Sequence, residues 1–313
     1  MPPSPKSAGK TAQRAQRPHP RQRRSPAPKL NAAMACDTAF RIVARRHLDA
    51  LCAHEEGTKN GDPAALHQMR VALTHLRTAI LFFSPMVYDA VRNEIRDELK
   101  WLNSELGAVR DLDVAVERIE SFNKRHSKAP ASTGAWNKKC LESHRHLART
   151  LHSVRYQWLI EQASSWIEHG PWSTKPGKQA AAERATSIGS YAAQKLAEWE
   201  AKLLKRSRKV REMGTKKRHR LRILNKRLTY SIDSFEDLFA DKRLSKQKIA
   251  LRHLRKAQKS LGLLNDGARG QALAAELQKG GVQTGLRFLG PKRRKRLLKK
   301  ASKAYRKLDK NLA

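Results

Sequence analysis

Two histidines open segments of one pattern, and that pattern suits the holding of an anion. His67 stands three residues before Arg70, with Arg77 further along; His219 and Arg222 repeat the spacing, and Lys226 and Arg227 follow them. Wound as a helix at about 100° per residue, His67, Arg70, Thr74 and Arg77 share a stripe about 80° wide. Leu66, Met69, Leu73, Leu76, Ile80 and Phe83 fill an apolar stripe beside it. A merely solvated charged face would lie opposite the core. This one flanks the core, where neighbouring helices stand close and cationic heads lose water. Like charges gathered there repel until phosphate or carboxylate neutralises them, and Arg can bond phosphate oxygens two at a time. Either copy alone reads as well as a packed histidine beside a snorkelling arginine; the repetition favours a site.

Catalytic and metal-binding readings find less support. A phosphate-cleaving enzyme needs acids gathered around Mg²⁺, and Asp111, Asp113 and Asp266 are the candidates. Asp111 and Asp266 each follow a Leu-Gly pair where a helix is expected to begin, so capping that helix or orienting an arginine is their expected role. The glycine-rich stretch from Gly262 to Gly270 lacks the Lys-Ser/Thr of a phosphate loop. His144, His146 and His152 are spaced poorly for sharing one helix face. Cys36, Cys52 and Cys140 form no CxxC pair, which indicates neither a disulfide framework nor a zinc knuckle and fits a reducing, cytoplasmic setting. The expectation is a binding protein with no catalytic residue, no cofactor and no metal.

The elements that would position these residues are helical almost throughout. Apolar residues recur at three and four spacing from Asn31 onward, predicting an all-α fold. Asp62-Pro63 supplies a cap and a first-turn proline, and Ser84-Pro85 closes the same helix. Five helices are expected at about 32–56, 63–84, 88–105, 111–125 and 136–168. A linker at 170–178 follows, and five more helices at about 179–211, 215–239, 243–261, 266–278 and 291–311. The last two are separated by the loop from Gly280-Gly281 to Gly290-Pro291. The two sets of five suggest an internal duplication, of about 31–169 and 179–312. At an offset of 152, Arg70/Arg222, Leu76/Leu228, Ile80/Ile232 and Phe83/Phe235 are identical, as are His67/His219. Downstream, Leu106-Gly107 to Asp111 answers Leu261-Gly262 to Asp266 at an offset of 155.

Charge sets the class of partner. The 313 residues hold 66 Lys plus Arg against 28 Asp plus Glu, a formal +38, which calls for a polyanion. The 39% hydrophobic content excludes wholesale disorder, and no apolar run is long enough to span a bilayer. Residues 1–30 carry eight Lys/Arg, many prolines and no acid, predicting a disordered basic arm able to bind nucleic acid or anionic membrane nonspecifically. In the last helix Lys292, Arg296, Lys299, Lys303 and Arg306 recur as a ridge, while Arg293, Arg294 and Lys300 read as solvated. A general nucleic-acid binder is the alternative. It is disfavoured because aromatics are only 6% and Trp101, Trp158 and Trp166 sit in core-like contexts instead of forming a stacking platform.

With these residues in view, the chain from about 31 to 312 resembles the CHAD family, the conserved histidine α-helical domain. The resemblance rests on the two His-x-x-Arg-[Val/Ile] helices, on Leu99-Lys100-Trp101-Leu102 leading to Arg110-Asp111-Leu112-Asp113-Val114, on Arg155-Tyr156, and on Lys226-Arg227-Leu228-Thr229-Tyr230. It implies two pseudo-symmetric helical bundles around a basic groove, binding of inorganic polyphosphate, and association with polyphosphate granules. His67, Arg70 and Arg77 would then face His219, Arg222, Lys226, Arg255 and the Lys299, Lys303, Arg306 ridge. Lys100, Arg155, Arg227 and Lys256 complete the expected site. Thr74, His75 and Thr229 depart from the family pattern, which weakens the first-half site or makes it pH-sensitive through His75. No Glu-x-Glu-x-Lys strand of a triphosphate tunnel occurs, so its catalysis is not inherited. The sequence carries no cue to oligomeric state.

Overall fold

A computed structural model describes residues 28–124, 133–239, 243–279 and 288–311. Most of the basic arm, residues 1–27, and the loop residues 280–287 lie outside the described residues. Helices carry the fold, and no strand occurs among the described residues. The first half contains α1 (Cys36–Ala53), α2 (Glu55–Lys59), α3 (Pro63–Phe82), α4 (Ala90–Asn123), α5 (Gly134–His152) and α6 (Val154–His169). The second contains α7 (Lys178–Ala185), α8 (Ile188–Ser207), α9 (Thr215–Ser234), α10 (Arg243–Lys279) and α11 (Pro291–Lys310).

Local chemistry explains most of the boundaries. Asp62 caps α3 by accepting from Ala64 N at 2.8 Å, and Pro63 occupies the first turn, where its missing N–H costs nothing. Two expected breaks do not occur. Helices expected at 88–105 and 111–125 are the single helix α4, and those expected at 243–261 and 266–278 are the single helix α10. Glycine inside a helix costs only about 1 kcal/mol against alanine, and the buried Leu106 and Leu261 beside Gly107 and Gly262 outweigh that cost. Asp111 and Asp266 are therefore mid-helix residues and cap nothing. Conversely, the helix expected over 136–168 divides at Ser153, whose Oγ accepts from Tyr156 N at 3.3 Å to start α6. Ser187 starts α8 in the same way, accepting from Ser190 N.

The core is continuous across the halves. One apolar cluster runs from Leu30 to Leu308. The end of α3 meets the second half directly, with the Phe82 ring 4.7 Å from Phe235 and 5.5 Å from Trp199. Residues 170–178, read as a linker, hold the fully buried Trp172, whose ring stacks edge-on to Phe40 at 5.1 Å. Asp89 ties this segment down, accepting from Trp166 Nε1 and Trp172 N at 3.0 Å each. The start of α8 is tied to the chain before α1, with Ile188 N donating to Met34 O at 2.8 Å and Thr186 O accepting from Cys36 N at 3.0 Å. A smaller cluster, Leu112, Ala115, Ile119, Trp136, Ala274 and Phe288, joins α4, α5 and α10. Trp158, read as core, is instead 40% exposed, while Trp166 is buried.

Candidate anion-binding cleft

Helices α3, α4, α9 and α10 pack against one another, and residues of all four, with Lys139 and Ser143 of α5, line a cleft of about 770 Å³. Nine Lys or Arg and two acids line it. From α3 come Arg70 and Arg77; from α9 come Arg222, Lys226 and Arg227, with His219 at the rim. Except for Arg227, which the helical period sets about 100° away from Lys226, these are the residues that it places on one stripe of each helix. Arg70 reaches across to α4, where its Nη1 donates to Gly107 O at 3.3 Å. A Cβ at Gly107 would meet both terminal nitrogens of Arg70 only in ordinary van der Waals contact, at 3.8 Å.

The cations are held at electrostatic cost. Burial lowers the pKa of Arg70, and Arg222, Arg110 and Arg269 push the same way, with Asp111 opposing. Burial likewise lowers Arg222, opposed by Asp266 and Asp111. For Arg77 burial is joined by the nearby Arg227. Lys226 is pushed down to about 8, by burial first and then by Arg222 and Arg70. Among the described residues, Arg222 Nε is buried without a hydrogen-bond partner. A phosphate oxygen would relieve each of these penalties.

Two carboxylates cross-link the cleft wall. Asp111 of α4 pairs with Arg269 of α10 at 3.1 Å, and Asp266 of α10 pairs with Arg118 of α4 at 3.4 Å. Of the two roles expected for these aspartates, orienting arginines is the one the geometry contains. Each carboxylate is engaged by a guanidinium, and burial raises the pKa of Asp111. That arrangement is unlike an open acidic pair awaiting Mg²⁺.

Other expected site residues are not brought to the cleft. His67 is exposed at the start of α3 and is not part of the lining. Lys100 is exposed on α4 outside it. Arg155 is engaged by Glu98 at 2.7 and 2.8 Å and stacks over Trp101 at 4.0 Å. Arg255 pairs with Asp233 at 2.8 Å, and it lies fourteen residues, about 21 Å of helix axis, from Arg269 along α10. Lys256 beside it is exposed. Lys299, Lys303 and Arg306 are exposed on α11, which buries Leu297, Ala301, Ala304 and Leu308 and packs on α10 and α8.

Arg294, read as solvated, is exposed, and it borders a side pocket of about 200 Å³ with Arg218, His219 and Arg222. His75 does not sensitise the cleft either. Its ring is stacked on Tyr230 at 4.1 Å and burial, with Lys226, pushes it down to about 4, so it stays neutral near pH 7. Thr74 lines the cleft with its hydroxyl bonded to Arg70 O, and Thr229 is buried.

Arg92, Arg96, Lys139 and Arg269 line the cleft without having been singled out by sequence. A signal existed for the first two, an i, i+4 pair just inside the start of α4. Lys139 and Arg269 are placed by packing alone.

The CHAD domain profile matches residues 42–275. A crystal structure of the CHAD domain from the plant Ricinus communis superposes with a TM-score of 0.70 at 24% identity, covering 92% of this chain and 95% of that one. PptA from Streptomyces chartreusis superposes with a TM-score of 0.52 at 12% identity, covering 89% and 97%. A search of curated proteins found no match.

Proposed function

The chain belongs to the CHAD family, and from that premise we propose that it binds inorganic polyphosphate in the cleft between α3, α4, α9 and α10 without cleaving it. The observation that carries this reading is the composition of the cleft wall: nine Lys or Arg, two acids, and no Phe, Tyr or Trp among the lining residues. Cations without a stacking platform suit a chain of bare phosphates better than nucleic acid, whose bases take much of their binding energy from aromatic faces. Arg70, Arg77, Arg222, Lys226, Arg227 and Arg269 contact phosphate oxygens. Asp111 and Asp266 hold Arg269 and Arg118 in place. Because Asp111 and Asp266 are engaged by guanidinium groups, and Glu276, the other acid of the lining, by Lys139 at 3.7 Å, incubation with polyphosphate and Mg²⁺ releases no phosphate.

Several phosphates must bind together to satisfy so many cations. Titration with polyphosphates of increasing length therefore gives an affinity that rises until the cleft is filled and then levels off. Equal affinity per phosphate at every length, including the shortest, would contradict a defined cleft. In the cell the protein is cytoplasmic and gathers at polyphosphate granules, which a fluorescent fusion imaged with and without polyphosphate synthesis checks.

A further inference from the structure

A second cluster of chemically capable side chains lies away from the cleft, where α4 meets α5. Asp113 is 4% exposed, and both Cys140 Sγ and His144 Nε2 approach its Oδ1, at 3.4 and 2.8 Å. Cys140 and His144 stand four apart on α5 and so share one face of the helix. The three donor atoms lie within 4.8 Å of one another. Among the described residues, Asp113 Oδ2 and His144 Nδ1 are buried without hydrogen-bond partners. We propose that Asp113, Cys140 and His144 form a binding site for a divalent cation of borderline softness, zinc being the natural occupant.

The ligand chemistry selects the metal class. A thiolate with an imidazole suits zinc or cobalt and is foreign to Mg²⁺ and Ca²⁺, which take oxygen donors. Around a tetrahedral zinc, with bonds of about 2.0–2.3 Å, donor atoms sit roughly 3.3–3.6 Å apart. The sulfur-to-oxygen separation already falls in that range, and the nitrogen-to-oxygen pair needs to open by about 0.5 Å, within the reach of a side-chain rotation. Charge does not oppose occupancy. Arg110 is 3.7 Å from Asp113 Oδ2, but it is also paired with Glu117 at 2.9 Å, and carboxylate plus thiolate balance a divalent ion. The smaller apolar cluster, to which Leu112 and Trp136 on the same two helices belong, packs against Cys140 on one side of the site. Three protein ligands leave a fourth position for water. The site is independent of the anion cleft, since none of its residues lines it.

The test is titration of the full chain with Co²⁺ after chelator treatment and without polyphosphate. The expected result is one tight equivalent, a thiolate-to-cobalt charge-transfer absorption, and its loss when Zn²⁺ is added. In Cys140→Ser the hydroxyl can still donate to Asp113, so the fold is kept, as circular dichroism verifies. That variant loses the charge-transfer band and binds cobalt more than about tenfold more weakly. Absence of the band in the parent protein, its persistence in Cys140→Ser, or only weak binding at many surface histidines would each overturn the proposal.

Discussion

At the residue scale Lys226 links the cleft to pH. It faces Arg222 from its own helix, Arg70 from α3 and Asp266 from α10, and in the free protein it titrates near 8. Below that value it is a cation and helps hold phosphate; above it the charge is lost, while the arginines around it keep theirs. Polyphosphate affinity therefore falls about tenfold between pH 7 and pH 9, and Lys226→Arg removes that dependence. The linkage for folding runs the other way. The unfolded chain holds the lysine proton up to about 10.4, so between about 8 and 10.4 the unfolded state binds more protons and the free protein gains stability as pH rises. Chemical denaturation of the parent and Lys226→Arg at pH 7.5 and 10 measures it. Arg70→Ala with Arg222→Ala removes two buried charge-assisted contacts of about 1.5–3 kcal/mol each, weakening binding at least about 100-fold. Lys299→Ala with Lys303→Ala removes exposed, screened charges and costs no more than about threefold. Fluorescence anisotropy with labelled polyphosphate separates the two pairs. Arg70 and Arg222 were legible in sequence because helical period alone sets a residue beside an apolar stripe. Arg269 was not, because its place depends on how α10 crosses α4, and Arg155 was misplaced because nothing local announces that Glu98 engages it.

At the element scale, two glycines inside α10 prove to be places of close approach. A Cβ on Gly267 would lie 2.8 Å from Leu289 Cβ, and one on Gly270 would run into the Phe288 ring. These two positions let the chain entering α11 cross α10 tightly, beside the side pocket that Leu289 lines. Gly270→Ala gains about 1 kcal/mol of helix propensity but overpacks the crossing at a cost of about 1–3 kcal/mol. The net expectation is a destabilised protein, read as a lower denaturation midpoint with an unchanged slope. Gly134→Ala is the comparison, since a Cβ there meets nothing within 4 Å. The start of α3 was readable because a cap and a proline act locally. The unbroken runs of α4 and α10 were not, because burial of Leu106 and Leu261 overrides the local preference of the glycines after them.

At the scale of the whole molecule, charge and connectivity act together. A formal +38 on 313 residues is self-repulsive, and the aromatic contacts between α3, α8 and α9 hold the halves against it. The helical class was plain from the 3.6-residue pattern, whereas the main core that runs across both halves was not, since periodicity shows which face is buried but not what covers it. Neutralising several cleft cations at once makes binding steeply salt-dependent. If five to eight phosphates are engaged, the log-log slope is roughly −3.5 to −6, at about −0.7 per contact for a single-stranded polyanion.

The most direct measurement is competition at about 150 mM salt, where exposed charges beyond about 8 Å are screened. Labelled long-chain polyphosphate is bound to the full chain and challenged with single-stranded nucleic acid at equal phosphate, beside the Arg70→Ala, Arg222→Ala variant. A cleft built for bare phosphate chains retains polyphosphate against a large excess of nucleic acid, and the double variant loses that preference. Displacement at parity in the parent protein, or an unchanged preference in the variant, would contradict the account.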